Sequence, residues 1–532
     1  MEKNAKQEEL LENEETAASW ESYQERIEVQ MRYFTDGPIY ELQKPTVAGR
    51  KDPNENNLAG LFLERVFAIA GENSYVAQVL PGVIFNGSFS KDLRLKLLDN
   101  AEISALIGFE NHGIFDGIEN RYNFAVTAFK NSGRTDVFRG IFQQRDVAVL
   151  DEWREQAVEI PREVSTEYSP EARIFPFIRS HKESEALSAI LSYPSLGDGI
   201  SDRWNVIPHR GLDRTRDADR FVEDEQVGSF SVYSGKNVHQ HVYDDTPEVG
   251  AQPFTFWSVE EDVAPAQSAK RRTRERTFNS GDLKKAIYRA FGEPETSKSQ
   301  KQSIDGLLIE HRGELLGLND VLLDCTGYRV AYRDIARASD ERTIIAAVLP
   351  SEVVHHNKLH SLRPYDIRPT ESHLAEDPIH GAYKRIFSDE ELFVASGLTN
   401  SLPFDFLIRT KVDSTVVTYK FTESQVPCLT AGDDWFEYVW RRAARLNCYG
   451  EAFAEMRDRL GGLEPATDTD ERRRLRAEID AAAFRAYGLD CEQTKFVLDD
   501  FHRVQNPQVM DEDYFDSVLE FYDQLAESGP RS

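Results

Sequence analysis

Residues 74–98 read SYVAQVLPGVIFNGSFSKDLRLKLL, and this stretch decides how the N-terminal part of the chain folds. Tyr75 to Leu80 is an apolar run closed by Pro81, which reads as a buried strand because proline cannot continue a sheet ladder. Asn86-Gly87-Ser88 is a turn followed by a helix start, and Leu93 and Leu97 continue that helix at one-turn spacing. Upstream, Leu58, Phe62, Val66 and Ile69 recur at helical spacing and predict an amphipathic helix that ends near Gly71. Downstream, Ile103 to Phe109 and Asn123 to Phe129 predict two more strands. A helix, a strand, a helix and two strands form the later part of an α/β sheet; the earlier βαβ units that such a sheet needs are missing.

The 532 residues fit two to four domains. Lys+Arg number 63 against 92 Asp+Glu, a net charge of −29, and only 19 of the cations are lysine. Spread-out acidity with little lysine fits a protein that works in molar salt. There the Debye length is only about 3 Å, so overall charge says little about a polyanionic partner and local basic islands say more. The ordinary alternative is an acidic cytosolic protein. No apolar run is long enough to span a membrane, and the polar N-terminus does not read as a signal peptide. Cys325, Cys428, Cys448 and Cys491 are scattered and make no metal or disulfide pattern. A cytoplasmic location is expected.

From 150 to about 430, short strand-like runs alternate with turns, at Gly228 to Tyr233, Val321 to Tyr332, Thr343 to Leu349 and Thr415 to Phe421. After about Trp435 the chain reads as helical, with Leu475, Ile479, Ala482, Ala486 and Leu489 on one face. The expected architecture is a partial Rossmann-like α/β sheet over 1–150, a mixed α+β region over 151–430 and a helical region over 431–532.

Several segments in order give these regions a family resemblance. Ser74 to Leu98, the hairpin GFENHGIFDGIENRYNFAVTAFKNSG (Gly108 to Gly133), Tyr233 to His239 (YSGKNVH), Tyr332 to Thr343 (YRDIARASDERT), Ser401 to Val412 and Arg476 to Leu489 (RAEIDAAAFRAYGL) together resemble the C-terminal portion of Eco57I-like, type IIG adenine-specific DNA methyltransferases. That group includes methylases of phage-defence systems such as BREX and DISARM. The resemblance implies a site-specific adenine-N6 methyltransferase of restriction-modification or phage defence, with S-adenosylmethionine as cofactor and double-stranded DNA as partner. It implies target recognition in the middle region.

The departure is equally informative. The family holds its cofactor on a glycine-rich loop and the flipped adenine on an Asn-Pro-Pro-aromatic loop. This sequence has no such tetrapeptide; Asn506-Pro507-Gln508-Val509 lacks the second proline and the aromatic. N6 of adenine is a weak nucleophile, and those loop acceptors build electron density on it as the methyl transfers. A second chain carrying the N-terminal half is therefore expected for activity. A non-catalytic DNA-binding specificity subunit and an inactive truncated remnant are the alternatives.

A flipped base needs an aromatic to stack on, and Phe129 best fits the family's position, with Tyr122 and Phe124 in reserve; each also fits a sheet core. Glu110 and Asn111 fit either the cofactor side or a loop brace. Lys270, Arg271, Arg272, Arg274 and Arg276, continued by Lys284, Lys285 and Arg289, place eight cations against two acids and suit phosphate contact. Lys236, Asn237, His239, Arg333, Arg337 and Arg342 are candidates for reading bases, since arginine binds guanine and asparagine reads adenine; local ion pairing is the other use for each. His355-His356-Asn357 lacks a second ligand cluster and does not read as a nuclease or metal motif.

Overall fold

In the computed structural model the described residues are all except 1–5, 7–9, 55–56, 120–121, 201–203, 214–220, 223–229, 244–254, 258–279, 293–298, 338–339, 413–414, 503, 505–506 and 531–532. They form two compact units, Met1–Ser184 and Glu185–Ser532.

The first unit starts with helix α1 (Glu14–Asp36), capped by the Asn13 side chain on Thr16 N–H and with no buried residue. A two-stranded hairpin follows, β1 (Thr46–Val47) with β2 (Arg50–Lys51). Next come α2 (Leu58–Ile69), β3 (Tyr75–Pro81), α3 (Lys91–Asn100), β4 (Glu102–Glu110), β5 (Asn123–Lys130), β6 (Val137–Gln144), α4 (Val149–Gln156) and β7 (Val158–Pro161). The sheet order is β3-β5-β4-β6-β7. β5 runs antiparallel between β3 and β4, which are therefore parallel to each other, and β6 is parallel to β4. The unit extends past the expected boundary near 150 because β7 pairs with β6. α2 and α3 cover one face together: Gly60 of α2 sits against Leu93 of α3, and Phe67 of α2 meets Phe129 of β5. On the other face Trp153 of α4 packs with Ala105, Ile107, Phe109 and Ile141.

The helix expected over residues 58–69 forms, but its expected apolar stripe faces outward. Leu58, Phe62 and Ile69 are exposed, while Gly60, Leu61, Leu63 and Glu64 are buried. Glu64 is held inside by N–H donors from Glu41 and Leu42 and by the Gln43 amide.

In the second unit, β8 (Pro208–Arg210), β9 (Phe221–Val222), β10 (Phe230–Tyr233), β11 (Thr255–Trp257), α5 (Ser280–Phe291), α6 (Gln300–Arg312), β12 (Arg329–Arg333), β13 (Ala346–Leu349), β14 (Val353–His355), β15 (Leu359–Leu362), β16 (Tyr365–Ile367) and β17 (Tyr383–Arg385) precede a helical region. That region holds α7 (Asp389–Thr399), α8 (Leu402–Lys411), α9 (Phe436–Asn447), α10 (Thr469–Ala486), α11 (Cys491–Phe501) and α12 (Glu512–Ser528). Two four-stranded sheets run β14-β10-β11-β9 and β13-β12-β15-β8. The fold is thus mixed α/β with a helical C-terminal region. The run at Val321 forms a strand only from Arg329 onward, with 3-10 turns at Leu318–Asp320 and Asp324–Thr326 before it. Thr415 to Phe421, expected as a strand, gives a short helix, Thr418–Thr422, whose Phe421 stacks on Tyr332 at 4.0 Å.

Helices seal the end strand of the second sheet. Asn400 accepts from Ala346 N–H (2.9 Å) and donates to its carbonyl (2.8 Å), and Asn447 does the same for Val348 (2.8 and 3.0 Å). Two side-chain amides thereby stand in for a neighbouring strand and satisfy groups whose burial unpaired costs free energy. α7, buried from Glu391 to Thr399, lies against α9 at Gly397, where a Cβ would come within 2.7 Å of Val439.

Candidate nucleic-acid interface

β10 ends at Tyr233, and the chain turns sharply through Ser234–Asn237. Asn237 is buried (3% exposed), and its Oδ1 accepts from Ser234 N–H (2.8 Å) and Ser234 Oγ (3.0 Å). Asn237 therefore braces the turn that lifts Lys236 into solvent, rather than presenting its amide to a base. Gly235 fits because this turn runs close beside the β14–β15 hairpin: a Cβ there would lie 3.2 Å from the Lys358 carbonyl.

Arg333, at the end of β12, reaches into the same turn. Its Nε donates to the Val238 carbonyl (2.6 Å) and its Nη2 lies 3.0 Å from His239 Nδ1. A guanidinium can only donate, so His239 accepts through Nδ1 and carries its proton on Nε2. Arg333 has no carboxylate ion-pair partner among the described residues, and burial lowers its pKa from the ordinary value, opposed by Asp340. Lys358, half-exposed, pairs with Asp334 at 3.0 Å, and Asp334 also lies 3.7 Å from His360 Nε2. His360 is opposite exposed Arg210 in the β15–β8 register.

Lys358 beside Asp334, Arg210 across the strand from His360, and Arg333 against the turn that carries Lys236 thus place four cations on neighbouring elements, with Asp334 and Asp340 as carboxylates beside them, in a chain of net charge −29. Such a local excess attracts a phosphate backbone where the rest of the surface repels it.

The remaining candidates divide. Arg337 is exposed, its side chain without a partner among the described residues, and its backbone N–H is fixed by Asp340 Oδ2 (2.9 Å). Arg342 is a correction to the base-reading expectation. It is buried, and donates to Asp480 Oδ2 (2.7 Å) and to the Asn400 carbonyl (3.1 Å), so it joins elements of the core. Burial works against its charge, but Asp480, Tyr514 and Asp405 more than offset this and hold its pKa above the ordinary value. Lys270, Arg271, Arg272, Arg274 and Arg276 lie outside the described residues. Lys284, Lys285 and Arg289 fall on α5, where Lys285 lies 4.0 Å from Asp282.

In the first unit Phe129 is fully buried, its ring 5.3 Å from Phe67. A base cannot stack on it as placed, which corrects the expectation for this residue. Phe124 packs between Phe109 and Phe115, while Tyr122 faces solvent and Phe115 is itself part-exposed. Asn111 is buried and spans its loop, accepting from Phe115 N–H (2.8 Å) and donating to the Phe115 and Ile118 carbonyls; Glu110 pairs with Arg145 at 2.7 Å. Of the two uses open to these residues, the loop brace is the one Asn111 serves, and Glu110 is engaged by Arg145.

Sequence reading missed Lys358 and Arg210. Lys358 directly follows the His355-His356-Asn357 run, whose first two side chains are buried; His355 Nε2 lies 2.8 Å from Ser361 Oγ. Nothing local marks Arg210, which joins the cluster only through strand pairing.

No family model matches the chain, and no curated protein matches it. Among solved structures it is similar to the type IIL restriction-modification enzyme MmeI, in complex with DNA, at 11% identity and a TM-score of 0.38, over 84% of this chain and 52% of that one. It is similar to the type IIG restriction endonuclease BpuSI at 10% identity and 0.31, over 87% and 49%. It is also similar to a nuclease-deletion mutant of the type ISP enzyme LlaGI, in complex with a DNA substrate mimic, at 10% and 0.31, over 73% and 36%. The chain spans about half the length of the first two and less of the third.

Proposed function

We propose that this chain supplies DNA target recognition, and the closing strands of the catalytic sheet, for a site-specific adenine-N6 DNA methyltransferase of a restriction-modification or phage-defence system. One observation carries the reading. Two segments that resemble the family's recognition region, residues 233–239 and 332–343, converge on one basic cluster although about a hundred residues separate them; Arg333 bonds Val238 and His239 directly. In this reading Lys236, Lys358 and Arg210 contact phosphates, and Arg337 reaches a base edge. The methyl donor and the Asn-Pro-Pro-aromatic loop belong to another polypeptide. Phe129 is in the core and Asn111 and Glu110 are engaged, which also supports a second reading, a recognition module with no chemistry of its own.

The test is binding of fluorescent duplex DNA over a range of salt concentrations. Lys236→Ala combined with Lys358→Ala is expected to weaken binding about tenfold and to flatten the log–log salt dependence by about two phosphate contacts. The fold is expected to persist, since both side chains reach solvent. Unchanged affinity and slope in a folded double variant would remove the cluster from the interface.

A further inference from the structure

The first unit has an open edge with a defined vacancy in its topology. Among the described residues β3 pairs only with β5 and ends the sheet. β3 and β4 are parallel, and α3 crosses between them on the face that α2 shares. Parallel crossovers in one sheet are right-handed almost without exception, so crossovers on the same face all step in the same direction. The step from β3 through α3 moves inward to β4. A step through α2 into β3 must likewise move inward, so the strand that feeds α2 belongs outside β3 and parallel to it.

Among the described residues, those leading into α2 do not provide that strand. Thr46–Val47 and Arg50–Lys51 pair with each other, and α1 precedes them. The surfaces that such a strand and its next helix would cover are apolar and bare. On α2, Phe62 is 64% and Ile69 71% exposed; on β3, Tyr75 is 79% and Val79 56% exposed. An unpaired edge flanked by apolar side chains on two elements calls for a strand with apolar flanks.

We infer that the β3 edge, with the outer face of α2, is the docking surface for a separate α/β polypeptide, which adds a strand parallel to β3 and packs a helix on Leu58, Phe62 and Ile69. This deepens the proposed function, on whose second chain it rests, by naming where that chain joins.

The test is site-specific cross-linking of the full chain in the cells that make it. Phe62→p-benzoylphenylalanine and Val79→p-benzoylphenylalanine are compared with Glu159→p-benzoylphenylalanine on β7 at the opposite edge. Expected are adducts from positions 62 and 79, not from 159, to one polypeptide, with the position-79 adduct mapping to an apolar strand segment. Amide exchange over residues 75–81 is expected to slow about tenfold or more in the purified complex. Phe62→Glu is expected to abolish the position-79 adduct while leaving circular dichroism unchanged, since Phe62 is exposed. Adducts only to a second copy of this chain, or none while the chain stays monomeric, would overturn the inference. Duplex binding measured on the same preparations reports separately on DNA recognition.

Discussion

Asp480→Ala is expected to lower the unfolding free energy of the chain by about 3–5 kcal/mol, the usual result of removing one partner from a buried ion pair. Asp480 is 1% exposed and all its bonds are internal. Oδ2 accepts from Arg342 (2.7 Å) and from the Tyr514 hydroxyl (2.6 Å), and Oδ1 accepts from Leu402 N–H (2.8 Å). One carboxylate on α10 thus ties the loop after β12, the start of α8 and α12. Without it, Arg342 keeps a buried positive charge that loses its directly bonded carboxylate, with the Asn400 carbonyl, the Tyr514 hydroxyl and the charge of Asp405 left around it. Arg337→Ala, five residues away on the same loop but exposed, is expected to change stability by no more than about 0.5 kcal/mol. Urea unfolding of the two variants checks the contrast. A loss below about 1 kcal/mol for Asp480→Ala would contradict the assignment of Arg342 to the core.

Stability is expected to fall steeply below pH 6.5. Burial pushes the His209 pKa down to about 3, with Arg363 and Arg329 adding to it, and that of His360 to about 4 against the pull of Asp334. His355 and His241 are also held well below the ordinary value, first by burial and then by nearby arginines. The folded protein keeps these rings neutral, whereas the unfolded chain protonates them near 6.5. Their contribution is complete above that pH and is lost as the pH falls through 6.5 toward the folded-state values. Each unit costs about 1.4 kcal/mol per group, so His209 and His360 together withdraw about 4 kcal/mol at pH 5. Asp324 and Asp405, whose pKa values burial raises, act in the opposite sense closer to the carboxylate range. Urea midpoints at pH 7.5 and 5.0 in the same salt measure the difference. Equal stability at the two values would mean that water reaches these rings.

What was legible in the sequence was what local chemistry decides. Tyr75–Pro81 matches the expected strand in its bounds but not in its burial, since it ends the sheet and leaves Tyr75 and Val79 exposed; the strands at 102–110 and 123–130 contain the expected ones, because apolar runs bounded by proline or turn residues leave little choice. The direction of α2 was not legible. Its sequence carries apolar residues on two sides, and which side meets the core depends on Phe129 and Leu93, far along the chain. Thr418–Thr422 became a helix despite a β-branched run because Phe421 has an aromatic slot against Tyr332; strand propensity measures the surroundings as much as the residue. Arg337 and Arg342 belong to one motif and went opposite ways because Arg342 meets Asp480 138 positions later. The basic cluster was half legible: Lys236, His239 and Arg333 stood out in the sequence, while Lys358 and Arg210 joined through strand register alone.

The most direct measurement is selection from a randomised pool of duplex DNA by the purified full chain. The account predicts enrichment of one defined sequence, which the folded Lys236→Ala/Lys358→Ala variant retains about tenfold more weakly. A folded wild-type chain that enriches no sequence, or a double variant that enriches the same one equally well, would contradict it.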